Sequence, residues 1–201
     1  LYFNTPVRRK FLRGAQTELR RILTWLQGTA LGVPHVGFRL QHEHEEISSL
    51  PVVSDFRERA RTLFSGTLVP VHHTSSMLTV AGLIGHPSMA RGSTVPLFLL
   101  VNNRLVRDPM VVRAVKDGFG SALRDAETPI GVLALTLPGR DVDVNVHPQK
   151  SEVRFARCFE VMNEIRAGIS SAFSQFRSPL QLPQKKDLLP FTAGFSSRGS
   201  R

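Results

Sequence analysis

Two apolar stretches that do not alternate, joined by a helical pattern, constrain this chain more than any other feature. In Pro96-Leu97-Phe98-Leu99-Leu100-Val101 no polar residue interrupts the apolar ones, so both faces of the strand it predicts must be covered. A second such strand is predicted over roughly 130–137. Between them, near 109–123, Met110, Val111, Ala114, Val115, Phe119 and Leu123 recur at helical spacing and are predicted to face inward. The stretch from Leu97 to Leu137 therefore reads as strand, helix, strand, which needs a layer of structure on each side of its sheet.

The rest of the chain supplies those layers. Thr5-Pro6 is a helix-start signal, with Arg8-Arg9-Lys10 in the opening turn and Gly14 closing it. A helix is predicted from about Glu18 to Leu31, with Leu19, Ile22, Leu23, Leu26 and Ala30 on one face and Gly32 and Pro34 stopping it. From His35 the period becomes two, Val36, Phe38 and Leu40 alternating with Gly37, Arg39 and Gln41. Ser54 or Asp55 caps a short helix carrying Phe56, Ala60 and Leu63, ended by Gly66. Strands follow at about 67–72 and 76–84. Val142-Asp143-Val144-Asn145-Val146 alternates strictly. A last helix starts near Cys158 and carries Met162, Ile165, Ile169, Ala172 and Phe176, after which the chain turns Ser-, Pro-, Gly- and Lys-rich without a period. Five or six strands with three or four helices in mixed order make an α+β fold, an α/β sandwich.

Length and charge narrow the partners. The 201 residues suffice for one good-sized domain with a tail, or two small ones. The formal net charge is +10, from 26 Lys plus Arg against 16 Asp plus Glu, and such an excess favours a polyanion through phosphate neutralisation and counterion release. Much of it sits at the two ends. Arg8, Arg9, Lys10, Arg13, Arg20 and Arg21 face only Glu18, while Arg177, Lys185, Lys186, Arg198 and Arg201 face only Asp187. No run of about 18 apolar residues predicts a membrane span, and no leader pattern is present. The opening Leu1-Tyr2-Phe3 has no turn signal before it and reads as a strand cut mid-sequence, so the chain is expected to be a fragment. The single cysteine, Cys158, has no partner for a disulfide and reads as a buried structural thiol in a reducing compartment. His42, His44, His72 and His73 have no cysteine nearby, and Glu43, Glu45 and Glu46 read as a solvated hairpin tip, so no metal site is assigned.

Three segments carry the chemistry: Asn4-Thr5-Pro6-Val7-Arg8-Arg9-Lys10-Phe11-Leu12; Val101-Asn102-Asn103-Arg104-Leu105-Val106-Arg107-Asp108; and the long run from Val142 to Phe155, VDVNVHPQKSEVRF. In motif, order and spacing the chain resembles the MutL family of DNA mismatch repair proteins over about residues 1–176, with Val7 where Ala is usual. The resemblance implies a ribosomal-protein-type transducer fold with a left-handed strand–helix–strand crossover, a handedness against the general rule. It implies a junction from an ATP-binding domain over 1–15, a transducer domain over 16–176 and a flexible basic linker over 177–201. The ATP-binding domain of the gyrase/heat-shock/histidine-kinase/MutL superfamily, with its catalytic Glu and magnesium ligand, would precede Leu1. No glycine-rich phosphate loop and no catalytic residue is assigned within the chain.

Individual residues take roles from that likeness. Pro148 stiffens the turn that presents Lys150, and the resemblance implies that Lys150 reaches the terminal phosphate of ATP held with Mg2+ in the preceding domain. His147 reads as a turn histidine bonded to backbone. Glu152 and Arg154 read as pairing with each other or with neighbouring strands, and exposed pairs of that kind contribute little. Asn102-Asn103-Arg104 is a tight turn between strands, and Asp108 caps a helix with Pro109 at its first position. Arg104 and Arg107 then lie on the rim of the sheet, where they contact DNA phosphates or remain ordinary solvated cations. Arg8 and Arg9, with Lys10, face DNA or pack on the ATP-binding domain. The partners implied are double-stranded DNA, a second copy in an ATP-dependent dimer and other mismatch repair proteins, in the cytoplasm at the nucleoid. Two other readings fit the charge and fold: an autonomous nucleic-acid-binding module, and the transducer of a type II topoisomerase.

Overall fold

A computed structural model describes residues 4–5, 7, 14–90, 97–124, 127–143 and 153–176. Helix α1 (Ala15–Gly32) leads into the hairpin β1 (Phe38–His42) and β2 (Glu45–Leu50), then α2 (Phe56–Leu63). Strands β3 (Leu68–Thr74), β4 (Thr79–Gly85), β5 (Leu97–Val101), β6 (Arg104–Val106) and β7 (Gly131–Thr136) form one sheet in the order β3-β4-β7-β5-β6. Helix α3 (Pro109–Phe119) lies between β6 and β7, the short pair β8 (Val142–Asp143) and β9 (Arg154–Phe155) follows, and α4 (Cys158–Phe176) ends the described chain.

β5 and β7 run parallel, Leu97 opposite Gly131 through Val101 opposite Leu135, and the chain between them passes through α3. The other ladders of the five-stranded sheet are antiparallel. This is the predicted strand–helix–strand unit, widened by the hairpin β5–β6. On one face Leu99, Val101, Leu133 and Leu135 meet α3 and α4 through Val111, Val115, Ile165 and Ile169. On the other, Phe98, Leu100 and Val132 meet Leu31 of α1 and Ala60 and Phe64 at α2. Successive residues of one strand thus enter opposite cores, which is why the sequence there does not alternate. Burial of each such aliphatic or aromatic side chain contributes about 1.5–3 kcal/mol. The α+β sandwich is therefore helix layer, sheet, helix layer.

Local chemistry sets the ends of the helices. Asp55 accepts from the Glu58 N–H, and Glu58 in turn accepts from the N–H and Oγ of Ser54, at 2.8 and 2.7 Å. Those bonds, the backbone one foremost, hold the Glu58 carboxyl below the usual carboxylate range. Arg59, one residue on, is fully buried and donates from Nη2 to the carbonyls of Pro34 and Val36, tying α2 to the connection between α1 and β1. Its Nε and Nη1 have no partner among the described residues, and burial lowers the guanidinium pKa.

Several expectations change in the structure. Met110 does not face inward: it lies in the first turn of α3, 56% exposed, its sulfur 3.9 Å from that of Cys158. Cys158 is half-buried rather than buried, at the start of α4, with desolvation pushing its thiol pKa up. Ile22 is exposed, because α1 is about 27 Å long at 1.5 Å per residue and buries its apolar side chains only from Leu26 onward. Val36 is exposed and β1 starts at Phe38. The β1–β2 hairpin, turned by Glu43 and His44 at φ 48° and 71°, forms a two-stranded sheet apart from the main one.

The end of α1 packs on the β5–β6 hairpin through two glycines. A Cβ on Gly28 would lie 2.6 Å from Leu105 Cδ2, and one on Gly32 would lie 2.7 Å from the Asn103 carbonyl oxygen. The first neighbour is a flexible side-chain tip; the second is backbone and cannot turn aside. Gly32→Ala is therefore expected to destabilise the domain by about 1–3 kcal/mol in denaturant unfolding. An unchanged midpoint would mean that the hairpin gives way without cost.

Candidate functional site

The turn of the β5–β6 hairpin is the centre of the site. Val101 pairs with Arg104 across a two-residue loop, Asn102 and Asn103, at φ 49° and 64°. Two successive left-handed residues make a turn of the type that matches strand twist, and asparagine tolerates that backbone better than other side chains with a Cβ. Here Asn102 does more than turn the chain. Its Nδ2 donates to the Leu137 carbonyl at 3.0 Å, and the Leu137 N–H donates back to its Oδ1 at 3.1 Å. Its own N–H donates to the Leu135 carbonyl at 2.9 Å. One side chain therefore closes the end of β7 as a further backbone rung would. Sequence reasoning saw the turn and missed this grip.

Arg104 and Arg107 lie beside that turn, as expected from the sequence. Both are exposed, and neither makes an ion pair among the described residues. Arg104 sits at the first position of β6, and Arg107 immediately precedes the cap of α3. Asp108 Oδ1 accepts from the N–H groups of Met110 and Val111, at 2.8 and 3.2 Å, with Pro109 in the first turn. The chain direction after Arg107 is thus set by a satisfied helix start, which keeps the two cations on the same rim.

Beyond Leu137 the chain runs through a single 3-10 turn (Gly139–Asp141) into β8, which pairs with β9 as Val142 opposite Phe155 and Asp143 opposite Arg154. The Ala156 N–H donates to the Asp141 carbonyl at 2.9 Å, and Arg157 pairs with the Asp141 carboxylate at 3.5 Å. Val153 and Phe155 are buried in the larger core. The described residues on either side of 144–152 are therefore paired with each other. Asn145, His147, Pro148, Lys150 and Glu152 lie outside the described residues, as do Arg8, Arg9 and Lys10, and the basic tail 177–201. Arg154 itself is exposed on β9.

The histidines are scattered: His42 and His44 belong to the β1–β2 hairpin, and His72 and His73 to β3. His73 Nε2 lies 2.5 Å from a Glu164 carboxylate oxygen on α4. Among the described residues no three His, Cys, Asp or Glu side chains come together as metal ligands. No helix among them is long and apolar enough to cross a membrane.

Residues 59–174 match the family model described as the C-terminal domain of the DNA mismatch repair protein, a span that contains the asparagine turn, both rim arginines and the anchored β8–β9 pair. The chain belongs to the MutL family of DNA mismatch repair proteins. The DNA mismatch repair protein MutL of Neisseria gonorrhoeae (strain NCCP11945) is 36% identical over 184 residues, 90% of this chain and 28% of that protein. MutL of Christiangramia forsetii is 31% identical over 180 residues, 88% of this chain and 29% of that protein. This MutL-family chain thus spans less than a third of the curated relatives it matches. The crystal structure of the N-terminal domain of a DNA repair protein overlays with a TM-score of 0.70 at 22% identity, covering 88% of this chain and 60% of that one. The Aquifex aeolicus MutL ATPase domain complexed with ADP overlays with a TM-score of 0.54 at 25% identity, covering 69% of this chain and 50% of that one.

The Asp108 cap has a measurable consequence in this setting. Asp108→Ala is expected to cost about 1 kcal/mol of stability, read by thermal unfolding, since it orphans two N–H groups at the start of α3. A loss near zero would show that water replaces the carboxylate fully.

Proposed function

We propose that this chain is the transducer of a MutL-type mismatch repair protein, coupling ATP binding and hydrolysis in a preceding domain to dimer closure and DNA binding. The observation that carries the reading is the β8–β9 pairing, which holds together the residues that flank 144–152. Such a root lets a segment bearing Lys150 deliver a compact charge to a fixed place. The likeness to a MutL ATPase domain complexed with ADP supports the nucleotide side of the reading. On it, Lys150 contacts the terminal phosphate of ATP and stabilises charge that develops during phosphoryl transfer. ATP and Mg2+ are held mainly by residues outside this chain, and nothing within it performs hydrolysis alone. Residues 1–15 form the junction, 16–176 the transducer and 177–201 a basic linker.

Arg104 and Arg107 contact the phosphates of double-stranded DNA, with Arg8 and Arg9 as further candidates. Two copies close around the duplex, other mismatch repair proteins are the further partners, and the protein works in the cytoplasm at the nucleoid. The net charge of +10 and the exposure of both rim arginines support this arrangement.

In the full-length protein, Lys150→Ala is expected to lower ATP turnover by about tenfold or more. Unchanged turnover would remove the phosphate-sensing role and leave an autonomous nucleic-acid-binding module. Duplex affinity is expected to fall with added salt, by a log–log slope of about 0.9 for each phosphate neutralised, and Arg104→Glu is expected to weaken affinity and flatten that slope. Binding that ignores both salt and the charge reversal would sink the DNA-contact assignment.

A further inference from the structure

The Asn102 side chain links two parts of the molecule that the proposed function keeps separate. On one side is the hairpin tip, where Arg104 follows two residues later. On the other is Leu137, which the Asn102 amide both donates to and accepts from, and from which four residues lead to β8. The two partners are 35 residues apart in sequence. The neighbouring Asn103, in the same turn and at a similar φ, has no side-chain hydrogen bond among the described residues. What it offers instead is its carbonyl, against which α1 packs at Gly32. The hairpin is thus held from behind by α1 and joined to β7 by the β5–β7 ladder and the Asn102 N–H, and the Asn102 amide carries that join one step further, to Leu137 beyond the end of β7.

We propose that Asn102 is the positioning residue that makes the Arg104 hairpin and the connection from β7 to β8 move as one unit. A load placed on the hairpin by duplex phosphates then reaches the root of the segment that carries Lys150. This rests on the coupling reading given above. A reciprocal pair of amide bonds suits that task, because each leaves a backbone group unsatisfied if the two sides separate. Allostery in these terms is a coupling free energy between two sites, carried by an element that both sites bias. On this proposal Asn102 acts through that join and not by contact with either ligand.

The turn itself suggests the variant. Asn102→Gly keeps the left-handed backbone, which glycine adopts freely, and removes only the amide. Asn103→Gly alters the same turn equally and spares the clamp. In the full-length protein, ATP turnover is measured with and without linear duplex, alongside duplex affinity and thermal unfolding. Asn102→Gly is expected to reduce the increase in turnover caused by duplex by about fivefold or more, with duplex affinity held within about twofold, while Asn103→Gly keeps the wild-type response. Asn102→Asp retains the acceptor for the Leu137 N–H and loses the donor, so it should fall between the two. If Asn102→Gly unfolds early, the same comparison on Asn102→Asp decides the matter.

A wild-type response in Asn102→Gly, or an equal loss in Asn103→Gly, overturns the inference, as does a wild-type turnover that duplex leaves unchanged. Should Lys150→Ala also leave turnover unaltered, the coupling reading itself falls. Should Lys150→Ala lower it while Asn102→Gly behaves as wild type, only the role of Asn102 is lost.

Discussion

The parallel contact between β5 and β7 is the constraint around which the rest of the molecule is arranged. Two adjacent strands whose side chains are largely buried on both faces require each face to acquire its own helical cover. On one side α3 and α4 supply it; on the other, α1 and α2. A parallel pair also requires a long return path, and the chain uses that path to place the β5–β6 hairpin and the capped start of α3 at one end of the sheet. The rim arginines are therefore products of connectivity as much as of local sequence.

That arrangement explains why so much of the core could be read in advance. Unbroken apolar runs at Leu97–Val101 and across residues 132–135, helical spacing through Val111, Val115 and Phe119, and the pattern of Ile165 and Ile169 each describe a single strongly biased environment. Exposed side chains are where the reading slipped. Periodicity marks which side of a helix is apolar, but not how far the covered patch extends, so Ile22 and Met110 read as inward-facing although each lies in the first half of its helix and is exposed. Strands of two or three residues, β6, β8 and β9, are too short to show any period at all.

The functional residues divide along the same line. Arg104, Arg107 and Asp108 are legible because turn and cap chemistry is local, complete within a few positions of the chain. The grip of Asn102 on Leu137 is not local, and no pattern around either residue announces it. Arg59 is a similar case. Flanked by Arg57 and Arg61 on a short helix, it looks like one of three solvated cations, and only the packing of α2 against the Pro34–Val36 connection makes it a wholly enclosed donor. Contacts of this kind arise from tertiary geometry, and an isolated sequence does not encode them in any spacing.

The borders of the main sheet carry a last implication. One border strand, β3, contains Pro70, which has no N–H to offer a newcomer, and the opposite border, β6, is only three residues long. Neither side is a serviceable template for another strand. Strand addition to the main sheet is thus disfavoured at both of its borders, so rim-to-rim growth of that sheet into a ribbon is opposed from either side.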